Sequence, residues 1–94
     1  MPTYHVFPQF WKMYHSLSVE QKAQFRTAVN HMVEDIKNGQ GFRSGLRVKG
    51  VKGRDGIYEM TWANDGRATF SYGSSIVEGT PHIQWHQVGT HEIF

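Results

Sequence analysis

Apolar side chains recur at helical spacing through the first forty residues and at every second residue through most of the rest. Phe7, Phe10, Trp11, Tyr14 and Leu17 fall at i, i+3, i+4, i+7 and i+10, one stripe of a short helix. Pro8 suits the first turn of that helix, where a missing backbone N–H leaves nothing unpaired. Ser18 followed by Gln21 has capping-box spacing, so a second helix starts there. Its buried stripe is expected to be Phe25, Val29, Met32, Val33 and Ile36, and Asn38-Gly39 ends it because glycine accepts a left-handed cap. The two helices are expected to form an antiparallel hairpin.

The period then changes to two. Leu46, Val48 and Val51 alternate with Arg47 and Lys49, and Tyr58, Met60 and Trp62 alternate with Ile57, Glu59 and Thr61. Asn64-Asp65-Gly66 is a hairpin turn. After it Ala68, Phe70 and Tyr72 alternate with Arg67, Thr69 and Ser71. A loop from Gly73 to Pro81 leads to a last strand, in which Ile83, Trp85 and Gln87 alternate with Gln84, His86 and Val88. Residues 3–6 supply a short strand at the start. The predicted order β-α-α-β-β-β-β is an α+β fold, a two-helix hairpin packed on one face of a mainly antiparallel sheet of four to five strands.

Length adds that residues 1–94 make a single small domain, with no room for a nucleotide-cofactor fold beside a substrate domain. Thirteen aromatic residues stand against Leu17 and Leu46 alone among leucines, so the core is expected to be built on rings and valine. Cysteine is absent, which removes disulfides, thiolate metal sites and cysteine catalysis. No apolar run reaches the roughly 20 residues of a membrane helix. The first residues lack a basic stretch followed by an apolar core, so no signal peptide is read and the cytoplasm is the expected compartment.

Charge narrows the chemistry. The net charge is only +2, yet Lys37, Arg43, Arg47, Lys49, Lys52 and Arg54 follow one another with no acid between them. If Val48, Met60, Trp62, Phe70 and Trp85 face the helices, the alternation puts Arg47, Lys49, Glu59, Thr61, Arg67, Thr69, Gln84 and His86 on the opposite face. Such a face suits a polyanion, because phosphate contacts draw on Lys and Arg whatever the sequence; it equally fits the solvated side of a one-sided sheet. The histidines admit a metal, acid–base work near neutral pH, or ordinary packing. His82 and His86 lie roughly 13 Å apart along a strand and do not share one ion. His86 and His91 beside cations suit proton transfer. The glycines around residues 39–41 and 50–56 lack the strand–loop–helix context of a phosphate loop and read as turns.

The order of these motifs resembles the RelE/ParE superfamily of bacterial type II toxins. The likeness runs through Leu46-Arg47-Val48-Lys49-Gly50-Val51-Lys52-Gly53, Gly56-Ile57-Tyr58-Glu59-Met60, Gly66-Arg67-Ala68-Thr69-Phe70 and Val88-Gly89-Thr90-His91-Glu92-Ile93-Phe94. It implies a microbial RNase-like fold and a metal-independent endoribonuclease that cuts mRNA, commonly on the ribosome, by attack of a ribose 2′-OH on the adjacent phosphate, so repressing translation. By the same resemblance Arg67 clamps the phosphate and His91 is acid or base; the placement of His86 and Glu59 on the same sheet face as Arg67 adds them to the catalytic candidates. Glu59 is read first as the ion-pair partner of Arg67. Arg47, Lys49, Lys52, Arg54 and Phe94 are the RNA-binding candidates. Thr61 replaces an Arg common at that point, and Phe94 replaces a Tyr, keeping stacking without the hydroxyl. The implied partners are a cognate antitoxin, mRNA and the ribosome, with no cofactor, metal or membrane. Two alternatives stay open: a non-enzymatic ParE-type gyrase inhibitor, and a degenerate member that only binds antitoxin or RNA.

Overall fold

The structure, a computed structural model, describes residues 3–94. Strand β1 (Thr3–Val6) leads into helix α1 (Pro8–His15), with Pro8 in its first turn. Helix α2 (Val19–Asn38) opens on a complete capping box: Ser18 Oγ accepts from the Gln21 N–H at 3.0 Å, and Gln21 Oε1 accepts from the Ser18 N–H at 2.9 Å. Gly39, at φ +68°, closes it in the left-handed region. The helices meet through rings, Phe10 and Tyr14 against Phe25. None of the described helices is long and apolar enough to cross a membrane.

The buried stripe of α2 is rotated from the expected one. Phe25, Ala28, Met32 and Asp35 are buried, while Val29, Val33 and Ile36 are half-covered. A carboxylate lies in this stripe because Arg43 returns to it: Arg43 donates to Asp35 through its backbone N–H (2.9 Å), Nε (3.0 Å) and Nη2 (2.9 Å). Arg43 also pairs with Glu34, which takes it out of the basic surface the sequence suggested.

Four further strands follow: β2 (Lys49–Gly50), β3 (Tyr58–Thr61), β4 (Gly66–Gly73) and β5 (His82–Thr90). The sheet order is β1-β5-β4-β3-β2, antiparallel except where β1 lies parallel to β5. β2 is shorter than the alternation implied, because Ser44–Leu46 form a 3-10 turn ended by Arg47 at φ +47°. Arg47 therefore leaves the strand and does not join the sheet face assigned to it from sequence.

Phe70 pairs with Tyr58 and Trp85, and Ala68 with Met60 and Val88; all but the half-buried Tyr58 are buried on the helix side. One irregularity decides the faces of β5. Phe70 stands opposite Trp85 and Thr69 opposite Gln87, so His86 is an extra residue in the ladder. Beyond this bulge the alternation inverts. Val88 goes into the core and Gln87 to the outer face, the reverse of the unbroken alternation read from sequence.

Candidate nucleic-acid interface

The pairing places Lys49, Glu59, Thr61, Arg67, Thr69, Ser71, Gln84 and Gln87 on the sheet face away from the helices, with His86 at the bulge. The loop from Val51 to Ile57 curls beside it, closed by Val51 N–H to Ile57 O at 2.8 Å. Arg54 Nη1 reaches Gln87 Oε1 at 3.5 Å. Arg54, Ile57, Thr69, His86 and Gln87, together with Phe7 and Pro8, line an open cleft of about 500 Å³. Thr69 is fully buried under this cover and its hydroxyl has no hydrogen-bond partner among the described residues.

His86 is tied down within the cleft. Its Nε2 lies 2.7 Å from Ser71 Oγ, while the Ser71 hydroxyl donates to Gln84 Oε1 at 3.0 Å. A hydroxyl has one proton, so His86 Nε2–H is the donor and Nδ1 is left to accept. Burial pushes the imidazole below its ordinary pKa and keeps it neutral near pH 7. Phe7 stacks on it at 4.7 Å.

A second group lies at the far end of β4 and β5. Gly66 pairs with Thr90, so one step further Asp65 of the turn meets His91 at the start of the final 3-10 turn (His91–Ile93). Asp65 Oδ1 accepts a hydrogen bond from His91 Nδ1. The imidazole holds the Asp65 carboxyl below the usual carboxylate range. With Nδ1 turned to the carboxylate, Nε2 is the ring nitrogen of His91 left without a partner among the described residues. Arg67, paired with Gly89, sits beside them. Its Nη1 donates to three turn carbonyls, those of Gly66 (2.9 Å), Ala63 (3.3 Å) and Asn64 (3.3 Å). Nε and Nη2 have no partner among the described residues and can take a phosphate oxygen.

The candidate residues therefore separate into two groups. His91 is five residues on from His86, roughly 16 Å along the strand direction, so they do not act on one phosphorus. Glu59 pairs with Lys49 Nζ at 3.2 Å, not with Arg67 as the sequence reading had it. Its side chain is mostly covered, whereas Lys49 is exposed. Lys52 is exposed in the β2–β3 loop, and Phe94 is half exposed at the chain end. Arg47 leaves the sheet and borders a cavity at the β3–β4 turn that α2 also lines and that Thr61 and Arg67 reach. Among the described residues no three His, Asp or Glu form a group that could hold a metal ion.

Asp65, Ser71 and Gln87 were missed as candidates. Asp65 read as turn chemistry alone, although continuing the β4–β5 register one pair beyond Gly66 and Thr90 sets it opposite His91. Gln87 was hidden by the bulge, and no local signal announces one here.

No family model and no curated protein sequence matches the chain. Solved structures do. YafQ in the E. coli DinJ–YafQ complex superposes with a TM-score of 0.69 at 10% identity, covering 100% of this chain and 98% of that one. E. coli YafQ from strain BL21(DE3) gives 0.67 at 8% identity over 99% and 97%. A YoeB/ParE toxin from Agrobacterium tumefaciens gives 0.67 at 14% identity over 95% and 98%. The chain has the RelE/ParE-type toxin fold, two helices on a five-stranded, mostly antiparallel sheet.

Proposed function

We propose that this protein is the toxin of a type II toxin–antitoxin pair and an endoribonuclease that cuts mRNA, on the ribosome in the cell, through the group Arg67, His91 and Asp65. The observation that carries the reading is the Asp65–His91 hydrogen bond beside an arginine with two unengaged donor atoms. Transesterification of RNA needs a base for the 2′-OH proton, positive charge at the phosphorane and an acid for the 5′-oxygen. Neutral His91 takes the 2′-OH proton at Nε2, with Asp65 orienting the ring and stabilising the imidazolium that forms. Arg67 Nε and Nη2 bind the nonbridging oxygens. The 2′-oxygen then bonds to phosphorus, the bond to the 5′-oxygen breaks, and imidazolium returns the proton to that oxygen. Lys49, Lys52 and Arg54 hold flanking phosphates, the cleft beside His86 takes a flanking base against Phe7, and Phe94 offers a stacking surface.

The neighbouring fold solved with DinJ supports an antitoxin as partner. An apolar groove of about 400 Å³ between α2 and β1, lined by Trp11, Val29, Val33 and Ile36 among others, suits the apolar face of an antitoxin helix.

The test is to map mRNA 5′ ends after brief induction of the chain in bacteria, beside Arg67→Ala and His91→Ala. New ends inside translated frames, lost in both variants, are expected. Growth arrest with intact mRNA and a DNA-damage response instead moves the protein to gyrase inhibition. Full toxicity of both variants removes the assignment of these residues.

A further inference from the structure

Behind the β3–β4 turn, on the side of α2, lies a second cavity of about 610 Å³ that shares only Arg67 with the cleavage chemistry. His31, Arg43, Arg47, Thr61, Trp62 and Arg67 contribute its functional walls, and no Asp or Glu lines it. Three features of it are costly for a purely structural site.

Arg47 is the only non-glycine residue at positive φ among those described, in a conformation that costs an L-residue about 1–2 kcal/mol. Glycine would end the 3-10 turn more cheaply, so the strain at this position points to a use for the arginine side chain. That guanidinium has no hydrogen-bond or ion-pair partner among the described residues. The second feature is Trp62, buried with its indole N–H unpartnered among the described residues. The third is that Arg47 and Arg67 converge on a cavity that no carboxylate lines: Arg43 is already neutralised by Asp35 and Glu34, and Arg67 answers to Asp65 across the turn, which leaves the charge of Arg47 uncompensated. Uncompensated positive charge around a concavity attracts an anion.

We infer that this cavity is a binding site for a nucleotide phosphate, held by Arg47 and by the unengaged donors of Arg67. Two cations with open N–H groups match the oxygens of a phosphate monoester. The volume exceeds what an inorganic anion fills and falls in the range of organic-ligand pockets. Leu46, Ala28, Ala63 and the Trp62 ring supply an apolar wall for a base. The ligand is a free mononucleotide or the terminal phosphate of an RNA fragment; the recognition chemistry is the same. Arg67 serves both this site and the proposed cleavage, one phosphate at a time; the inference rests on Arg47 and Trp62, which the nuclease reading does not use, so its failure in Arg47→Gly leaves that reading intact.

The experiment is an NMR titration of the full-length protein with AMP, with a short RNA carrying a 3′-phosphate, and with adenosine as the uncharged control. The Trp62 indole N–H cross-peak, assigned through Trp62→Phe, is the reporter. AMP or the 3′-phosphate RNA is expected to move it in a saturable way, the tighter of the two identifying the source, and adenosine is not. Arg47→Gly is expected to weaken binding at least tenfold while leaving the melting temperature equal or higher, because it relieves the backbone. Equal response to adenosine, an unmoved Trp62 signal at millimolar ligand, or full affinity in Arg47→Gly would each overturn the proposal.

Discussion

Gly66 begins β4 against the face of an indole. A Cβ built there meets Trp62 ring carbons at 2.5, 2.5 and 2.7 Å, and Gly66 is not at positive φ, so sterics alone set the cost of alanine. The ring cannot slide away freely, being buried and packed edge-on against Phe25 at 6.2 Å. Overpacking of this kind costs about 1–3 kcal/mol, and the confined ring argues for the upper end. Replacing glycine returns about 0.4–1 kcal/mol through the unfolded chain. The net expected loss is about 2 kcal/mol, a fall in melting temperature of roughly 8–16 °C for a domain this size. Gly45→Ala is the control: nothing lies within 4 Å of its Cβ and its φ is not positive, so a small gain is expected. Thermal denaturation followed by circular dichroism measures both. Trp62→Leu removes the obstructing ring and should make Gly66→Ala nearly free, a coupling read from the double-mutant cycle. Equal melting of Gly66→Ala and wild type, or no coupling with Trp62→Leu, would refute the packing of Trp62 over the turn.

Asp65→Asn should leave the melting temperature near wild type but lower RNA cleavage about 10- to 100-fold, since it removes the charge that steadies imidazolium at His91; unchanged cleavage removes Asp65 from the site. Phe70→Ala, at a fully buried ring between Tyr58 and Trp85, should cost about 3–5 kcal/mol in urea denaturation. Ser18→Ala should cost about 1 kcal/mol by the same assay through loss of the capping box. His86, pushed down by burial, contributes stability that is fully present above its unfolded pKa of about 6.5 and lost as pH falls through its folded value. Melting temperature should therefore drop on acidification below about pH 6.5, and an NMR titration of the imidazole should show the low midpoint directly.

The basic outer face was legible because strand alternation is a local property: Lys49, Glu59, Thr61, Arg67 and Thr69 all lie where a period of two puts them. Both helix boundaries of α2 were likewise set by residues within a turn of them, Ser18 with Gln21 and Asn38 with Gly39. What failed did so where distant segments meet. Asp35 is buried because Arg43, eight residues on, folds back onto it. Arg47 left its strand for a 3-10 turn, and Glu59 took Lys49 from the neighbouring strand in place of Arg67.

The sequence by itself determined the two α-helices, the alternation of β3 and β4, and that a polar sheet face would result, since periodicity and capping act over a few residues. Only the tertiary structure decided which histidine has a carboxylate. The β4–β5 register brings Asp65 to His91, and the bulge at His86 turns Gln87 outward and Val88 into the core. Register and bulges depend on how two strands far apart in the chain lock together against a shared core, and no short stretch of sequence carries that information.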